Sequence, residues 1–121
     1  MSAQELEWRF LAKSVKDVMV IFLGGSLSDP ERLPCTQDLL SALARCGFRK
    51  FVLNFDGVQR ISAGIVGGVL IAFHKAVAGA NARFVCCNVD ATTQHLFVDI
   101  WKWKIKILPD LDQALREFST T

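Results

Sequence analysis

The 121-residue chain lacks an apolar run long enough to cross a membrane. Its longest such run, Ile61 to Phe73, has 13 residues including Ser62 and three glycines, whereas a spanning helix needs ~20. No basic segment followed by an apolar one opens the chain, so the sequence predicts a cytoplasmic protein without direct membrane insertion. Hydrophobic residues make up 51% and the net charge is only +2, which argues against disorder and predicts a single domain over residues 1–121.

Patterns for metal or nucleotide binding are also missing. The four cysteines, Cys35, Cys46, Cys86 and Cys87, have no CxxC spacing, which predicts buried, reduced thiols. No group of His, Cys, Asp or Glu has metal-ligand spacing, and the glycine-rich segments lack the Gly-Lys pair of a P-loop. The sequence therefore predicts no metal, no cofactor and no enzyme activity.

What is present is an alternation of strand-like and helix-like segments. The strand patterns cover Glu7–Ala12, Val18–Leu23, Phe51–Phe55, Arg83–Val89 and Trp101–Ile107. The helix patterns run from Pro34 to a glycine cap at Gly47, over Ser62–Val77, over Thr92–Val98, and from a cap at Asp110 onward. Strands joined through helices run parallel. We therefore predict an α/β fold: an N-terminal hairpin, then parallel βαβ units, in a mixed sheet of four or five strands with about four helices.

The segment from Asp56 to Gly64 links the strand ending at Phe55 to the helix beginning at Ser62. Such connections carry the functional loops of α/β sheets. Ser62 has two interpretations. Its hydroxyl is a favoured helix N-cap, and it is also a position where a phosphate would be accommodated by helix amides and dipole. The residues alone leave both open.

The helix that follows Ser62 is apolar on nearly every side. Gly67 and Gly68 lie inside it, and each costs up to about 1 kcal/mol relative to alanine. Two explanations carry equal weight: tight packing of the helix on the sheet, or a flat surface on which a partner docks.

The order of these elements and the run VLNFDGVQRISAGIVGGVL resemble a STAS domain, the family named after sulphate transporters and anti-sigma factor antagonists. The resemblance extends to NARFVCCNV and to the closing LPDLDQALREF, and so covers nearly the whole chain. It implies a non-enzymatic regulatory module that binds a serine kinase/anti-sigma factor or another regulatory protein. In the bacterial antagonists, phosphorylation of a serine by that kinase ends the complex and switches partners.

The resemblance assigns the phosphorylated position to Ser62. The partner-binding residues it implies are Ser28, Asp29, Asp56, Ile61, Ala63, Gly64, Val66, Gly67 and Gly68. The family commonly has an acidic or hydroxyl residue before the serine and a hydroxyl residue after it, where this chain has Ile61 and Ala63. That departure favours an alternative: a constitutive scaffold subunit of a signalling assembly or of an ABC transporter, independent of phosphorylation. Self-association is left open.

A hydrolase interpretation of Ser62 is weak. Ser62-Ala63-Gly64 matches the second half of a GxSxG nucleophile elbow, but the first glycine is replaced by Arg60. His74 lies roughly 18 Å further along the helix at ~1.5 Å per residue. The sequence therefore predicts no catalytic residue.

The run WKWKIKI interleaves lysines with tryptophans, a composition that suits nucleic acid. The alternation, however, puts Lys102, Lys104 and Lys106 on one face of a strand, which is typical of a sheet edge protected from aggregation. We therefore predict no nucleic-acid partner, and Trp101 remains a candidate contact for a protein.

Overall fold

The computed structural model describes residues 9–27, 33–61, 63–100, 102 and 104–119. Within these ranges five strands form one sheet in the order β1-β2-β3-β4-β5. The strands are β1 Arg9–Val15, β2 Val18–Leu27, β3 Lys50–Ile61, β4 Arg83–Cys87 and β5 Ile107–Leu108. β1 pairs with β2 antiparallel, and each later neighbour pairs in parallel.

Four α-helices connect and cover the strands in the part of the chain just defined. They are α1 Leu33–Ala44, α2 Ala63–Gly79, α3 Ala91–His95 and α4 Leu111–Ser119, with a π-helical turn over Leu96–Ile100 after α3. Asp110 caps α4 by accepting the Gln113 N–H at 2.9 Å, as predicted, and Asp90 caps α3 in the same way. The predicted fold class, a hairpin followed by parallel units in a mixed sheet, is confirmed.

Each face of the sheet carries its own core. On one face α1 and α2 pack over β2, β3 and β4, with Phe73 of α2 edge-on to both Phe51 and Phe84. On the other face α4 buries Ala114 and Phe118 against valines of the central strands. Because both faces of the sheet are covered, the sequences of its central strands are continuous apolar runs. Cys86 and Cys87 are buried on opposite faces.

The two long strands extend further than predicted. Gly24 and Gly25 do not end β2: the strand continues to Leu27, with register shifts at the glycines and a φ of 81° at Gly25. The segment Asp56–Ile61, predicted as a loop, is the second half of β3. β3 continues because the extension of β2 supplies hydrogen-bond partners for its backbone, which a loop would lack. Gly24 and Gly25 are accommodated as irregularities in the register.

At the other edge of the sheet, the predicted strand Trp101–Ile107 is wrong. In the described part of this segment only Ile107 and Leu108 pair with β4, and residues 104–106 are not in a strand. Lys102 has a φ of 52°, which is incompatible with an extended chain. The alternation of lysine and isoleucine reflects half-burial of Ile105 and Ile107 beside the core, not strand pairing. Trp101 and Trp103 lie outside the described residues.

Smaller differences follow from local backbone geometry and from helix packing. β4 ends at Cys87, earlier than predicted, because Asn88 adopts a left-handed φ of 57°. Gly47 ends the α1 region with a φ of 101°, as predicted. The prediction of buried thiols is confirmed for Cys86 and Cys87 and is wrong for Cys46, which follows α1 and is exposed.

Candidate functional site

The carboxyl ends of β2 and β3 meet at one edge of the sheet. Leu27 and Ile61 are register partners, and each is the last residue of its strand. α2 begins at Ala63, so position 62 is the single residue between the strand and the helix. Ser28, Asp29 and Ser62, predicted as site residues, follow these strand ends in sequence and lie outside the described residues.

The rest of the predicted partner surface is divided between exposed and partly buried positions. Asp56 and Gly68 are exposed, whereas Ile61 is partly buried against the core beneath α1 and α2. Ala63, Gly64, Val66 and Gly67 belong to the first two turns of α2. These positions therefore follow one another from the last residue of β3 into α2, while Asp56 lies five residues before Ile61 on the exposed part of β3.

A buried asparagine that was missed by the sequence reasoning organises the base of this site. Asn54 is 5% exposed. Its Oδ1 accepts the Asp56 N–H at 3.0 Å and the Asn88 Nδ2–H at 2.9 Å. The backbone of Asp56 takes part in this network, while its side chain is exposed. A single polar residue inside the apolar run FVLNF was the signal that would have found it.

Two glycines of this region, Gly57 and Gly68, have different surroundings. A Cβ on Gly57 would lie 3.2 Å from both the Gly24 Cα and the Leu23 carbonyl oxygen, so β2 and β3 approach each other here because the side chain is absent. A Cβ on Gly68 would meet nothing within 4 Å. Tight packing on the sheet therefore does not explain Gly68, and open space lies beside the α2 backbone at this position.

An open groove lies next to Asp56, on the side of β1. It has a volume of about 470 Å³ and is lined in part by Leu11, Phe22, Asn54 and Gly57. Leu11 is 62% exposed, so the groove has an apolar wall. The groove therefore adjoins the base of the candidate site.

Two carboxylates lie near the Cys87 thiol at the end of β4. Burial raises the pKa of the Cys87 thiol to about 11, and the carboxylates of Asp110 and Asp56 add to the effect. The neighbouring Cys86 has its pKa raised well above the usual range, first by burial. Both thiols are therefore protonated near neutral pH and are poor nucleophiles.

The described residues contain no group of three His, Cys, Asp or Glu side chains placed to hold a metal ion. His95 is exposed and bonds to Asp99 at 2.7 Å, and His74 packs edge-on to Phe84. Among the helices within those residues, none is both long and apolar enough to span a membrane.

No protein-family model matches the chain, and no curated protein matches its sequence. Solved structures do match. The anti-sigma factor antagonist SpoIIAA in its unphosphorylated form superposes with a TM-score of 0.77 at 16% identity, covering 93% of this chain and 98% of that one. An anti-sigma factor antagonist from Mycobacterium paratuberculosis gives 0.74 at 18% identity, covering 92% and 93%. Bacillus SpoIIAA in the phosphorylated form gives 0.67 at 17% identity, covering 92% and 99%.

These similarities establish the fold. The chain has the architecture of the anti-sigma factor antagonists, the STAS fold, over nine-tenths of its length. The resemblance seen in the sequence is thereby confirmed for the fold.

Proposed function

We propose that this protein is a non-enzymatic, cytoplasmic protein-binding module of the anti-sigma factor antagonist type, formed by a single domain over residues 1–121. Its partner is a serine kinase/anti-sigma factor or a related regulatory protein, and phosphorylation of Ser62 switches the interaction. The observation that supports this most directly is the position of residue 62 between the end of β3 at Ile61 and the start of α2 at Ala63. SpoIIAA, which has the same fold, is known in unphosphorylated and phosphorylated forms.

The proposed docking surface surrounds Ser62. It comprises the end of β2, the exposed part of β3 and the first turns of α2, with Ser28, Asp29, Asp56, Ile61, Ala63, Gly64, Val66, Gly67 and Gly68 as its residues. The open space above Gly68 supports this assignment, because a glycine without a packing reason inside a helix costs up to about 1 kcal/mol. A partner that approaches the helix backbone closely would account for that cost.

The switch is electrostatic and steric. In the unphosphorylated state a neutral hydroxyl is covered by the partner, which is compatible with a tight interface. A phosphate adds about −1.5 to −2 charges at the same position. Burying that charge without a matching cation costs several kcal/mol, and a micromolar complex is held by only about 8 kcal/mol. The phosphorylated protein therefore dissociates while its fold is retained.

The first test is mass spectrometry of the protein purified from its own cells. We expect phosphate on the peptide containing Ser62, and its complete loss in Ser62→Ala. Ser14→Ala, which removes an exposed hydroxyl on β1, is the matched control and keeps the phosphate. Phosphate on another residue, or none under any growth condition, contradicts the switch.

A second candidate function is a constitutive scaffold subunit. The observation that favours it is the identity of the neighbours of Ser62, since Ile61 is partly buried against the core and Ala63 has no hydroxyl or charge. In that case Ser62→Asp leaves the copurified partner unchanged in amount. For the switch, the same substitution removes the partner from the purified protein, while Ser62→Ala retains it.

A further inference from the structure

A second groove lies where β4 begins, at the opposite end of the sheet from Ile61. Arg83, the first residue of β4, pairs with Lys50, the first residue of β3. Ile61 follows eleven residues later along the same strand, a distance of up to ~36 Å at ~3.3 Å per residue. The groove is therefore remote from the site proposed for Ser62.

The groove has a volume of about 280 Å³ and an apolar floor. It is formed by the second half of α2, the start of β4, the segment before β5, and α4. Val77, Phe84 and Phe118 lie beneath the groove and are buried, whereas Ala78, Ala82 and Ile105 supply the apolar surface that remains accessible on its floor. Small-molecule sites usually have volumes of roughly 300–1,000 Å³, so this groove suits one or two side chains of a larger partner.

The rim of the groove is basic. Arg83, Lys104 and Lys106 line it and are exposed. Among the described residues of the lining, Glu117 is the one with a carboxylate, and it accepts a hydrogen bond from Lys106. Within the part of the chain that the structure describes, Arg83 and Lys104 form no ion pair. Two cationic side chains of the rim are therefore not paired with any carboxylate of the described residues.

Arg83 is held in place by an aromatic ring. Its Cζ lies 5.4 Å from the centroid of the Phe118 ring, within the range of a cation–π contact. This contact keeps the guanidinium over the groove floor, with its N–H groups available to a carboxylate in the bidentate geometry that arginine favours.

Protection of a sheet edge does not account for Lys104. The sequence suggested that role for three lysines on one strand. The structure limits β5 to Ile107–Leu108 and places Lys104 before it, in a segment that is not a strand. Lys104 therefore has no strand edge to protect, although it does line the groove.

We propose that this groove binds an acidic segment of a protein partner, with one apolar side chain on the floor and carboxylates paired to Arg83 and Lys104. Charge complementarity identifies the partner chemistry, because the rim offers cations and the floor offers apolar surface. Nucleic acid fits less well. Among the described residues that line the groove, the phenylalanine rings, Phe84 and Phe118, are 7% and 2% exposed, and stacking on open aromatic faces is a main source of single-strand affinity.

The experiment is an NMR titration of the isotope-labelled full chain with the synthetic peptide Glu-Glu-Phe-Glu-Glu. We expect saturable amide shifts confined to the groove, at Ala78, Ala82 and Ile105, with a Kd below about 1 mM. Lys104→Glu weakens binding at least tenfold. Lys13→Glu, at an exposed lysine on β1, is the matched control and changes the Kd less than twofold.

Two further probes define the chemistry of the site. Replacing the peptide's phenylalanine by serine weakens binding at least fivefold, and Lys-Lys-Phe-Lys-Lys does not bind. Arg83→Gln adds to the effect of Lys104→Glu. Since Arg83 also contacts Phe118, the exposed Lys104 provides the test that is independent of folding.

Three results would overturn the proposal: no saturable shift, shifts spread over lysines throughout the chain, or tighter binding of oligothymidylate than of the acidic peptide with the same dependence on Lys104. We expect Ser62→Asp to leave peptide binding unchanged, because the groove is remote from the site proposed for Ser62. Failure of the groove and failure of the phosphorylation switch are therefore separate results.

Discussion

Asn88 donates a hydrogen bond from its side-chain Nδ2 to the Oδ1 of Asn54 at 2.9 Å, joining the residue that follows β4 to the middle of β3. The same oxygen accepts the backbone N–H of Asp56 at 3.0 Å. Asn54 is almost fully buried, so water does not replace a lost partner there. The pair secures the point where β3 leaves the core and continues toward Ile61.

Replacing the acceptor should destabilise the whole domain. Asn54→Leu leaves the Asp56 N–H and the Asn88 side-chain amide without their acceptor, and we expect a loss of about 1–3 kcal/mol in the free energy of unfolding. Urea denaturation followed by circular dichroism measures it. As a control for the backbone, Asn88→Gly preserves the left-handed φ of 57° and should cost less than Asn88→Ala. An unchanged midpoint for Asn54→Leu would contradict this role.

Gly57 and Gly68 should respond to substitution by alanine with opposite changes in stability. At Gly57 the new Cβ would lie 3.2 Å from backbone atoms of Gly24 and Leu23, which forces β2 and β3 apart and costs about 1–3 kcal/mol. At Gly68 the Cβ enters open space, so helix propensity raises stability by about 0.5–1 kcal/mol. Thermal melts of the two variants measure the difference, and equal signs would show that one environment is misassigned.

A larger side chain at Gly68 tests the docking surface. We expect Gly68→Leu to fold and to bind the copurified partner at least tenfold more weakly. The leucine side chain would occupy the space that the partner fills in the proposed complex. Gly79 is the matched control, since its Cβ position is equally open and lies at the other end of α2. If Gly79→Leu and Gly68→Leu bind the partner equally well, the partner does not dock on the start of α2.

The hairpin turn carries a pH-dependent ion pair. Lys50 bonds to Asp17 at 2.8 Å and lowers the pKa of that carboxyl below 3.8, chiefly through the hydrogen bond. A lowered pKa in the folded state means that the pair contributes stability above the unfolded-state pKa and loses it as the pH falls through the folded-state value. Lys50→Met should return the Asp17 pKa toward its ordinary value in an NMR titration. Because Asp17 is exposed, added salt should weaken the shift.

The thiols should react in an order set by burial. In a Cys35→Ser background, iodoacetamide at pH 8 should modify the exposed Cys46 first. Cys87, with a pKa of about 11, has about one thiolate in a thousand at that pH, and Cys86 is fully buried. We expect both to react only after unfolding in urea. Early modification of Cys86 or Cys87, detected by peptide mass spectrometry, would show that β4 opens in the native state.

Whether a feature of the site can be predicted from the sequence depends on how far apart in the chain the interacting residues are. The cap at Asp110 and the left-handed Gly47 follow from contacts between near neighbours, and both were predicted. The extension of β3 over Asp56–Ile61 follows from pairing with a segment more than thirty residues away, and it was predicted as a loop. Asn54 was missed for the same reason, because its partner Asn88 follows β4 and lies 34 residues away in the chain.

The sequence by itself determined the order of the elements and the start of α2 to within one residue of Ala63, because apolar periodicity and capping are properties of short segments. Tertiary structure decided where each strand stops, which glycines are crowded or open, and which lysines line a groove. Those features depend on contacts between residues that are distant in the sequence. Gly57 is crowded by Gly24 of the neighbouring strand, and Arg83 is held by a residue of α4.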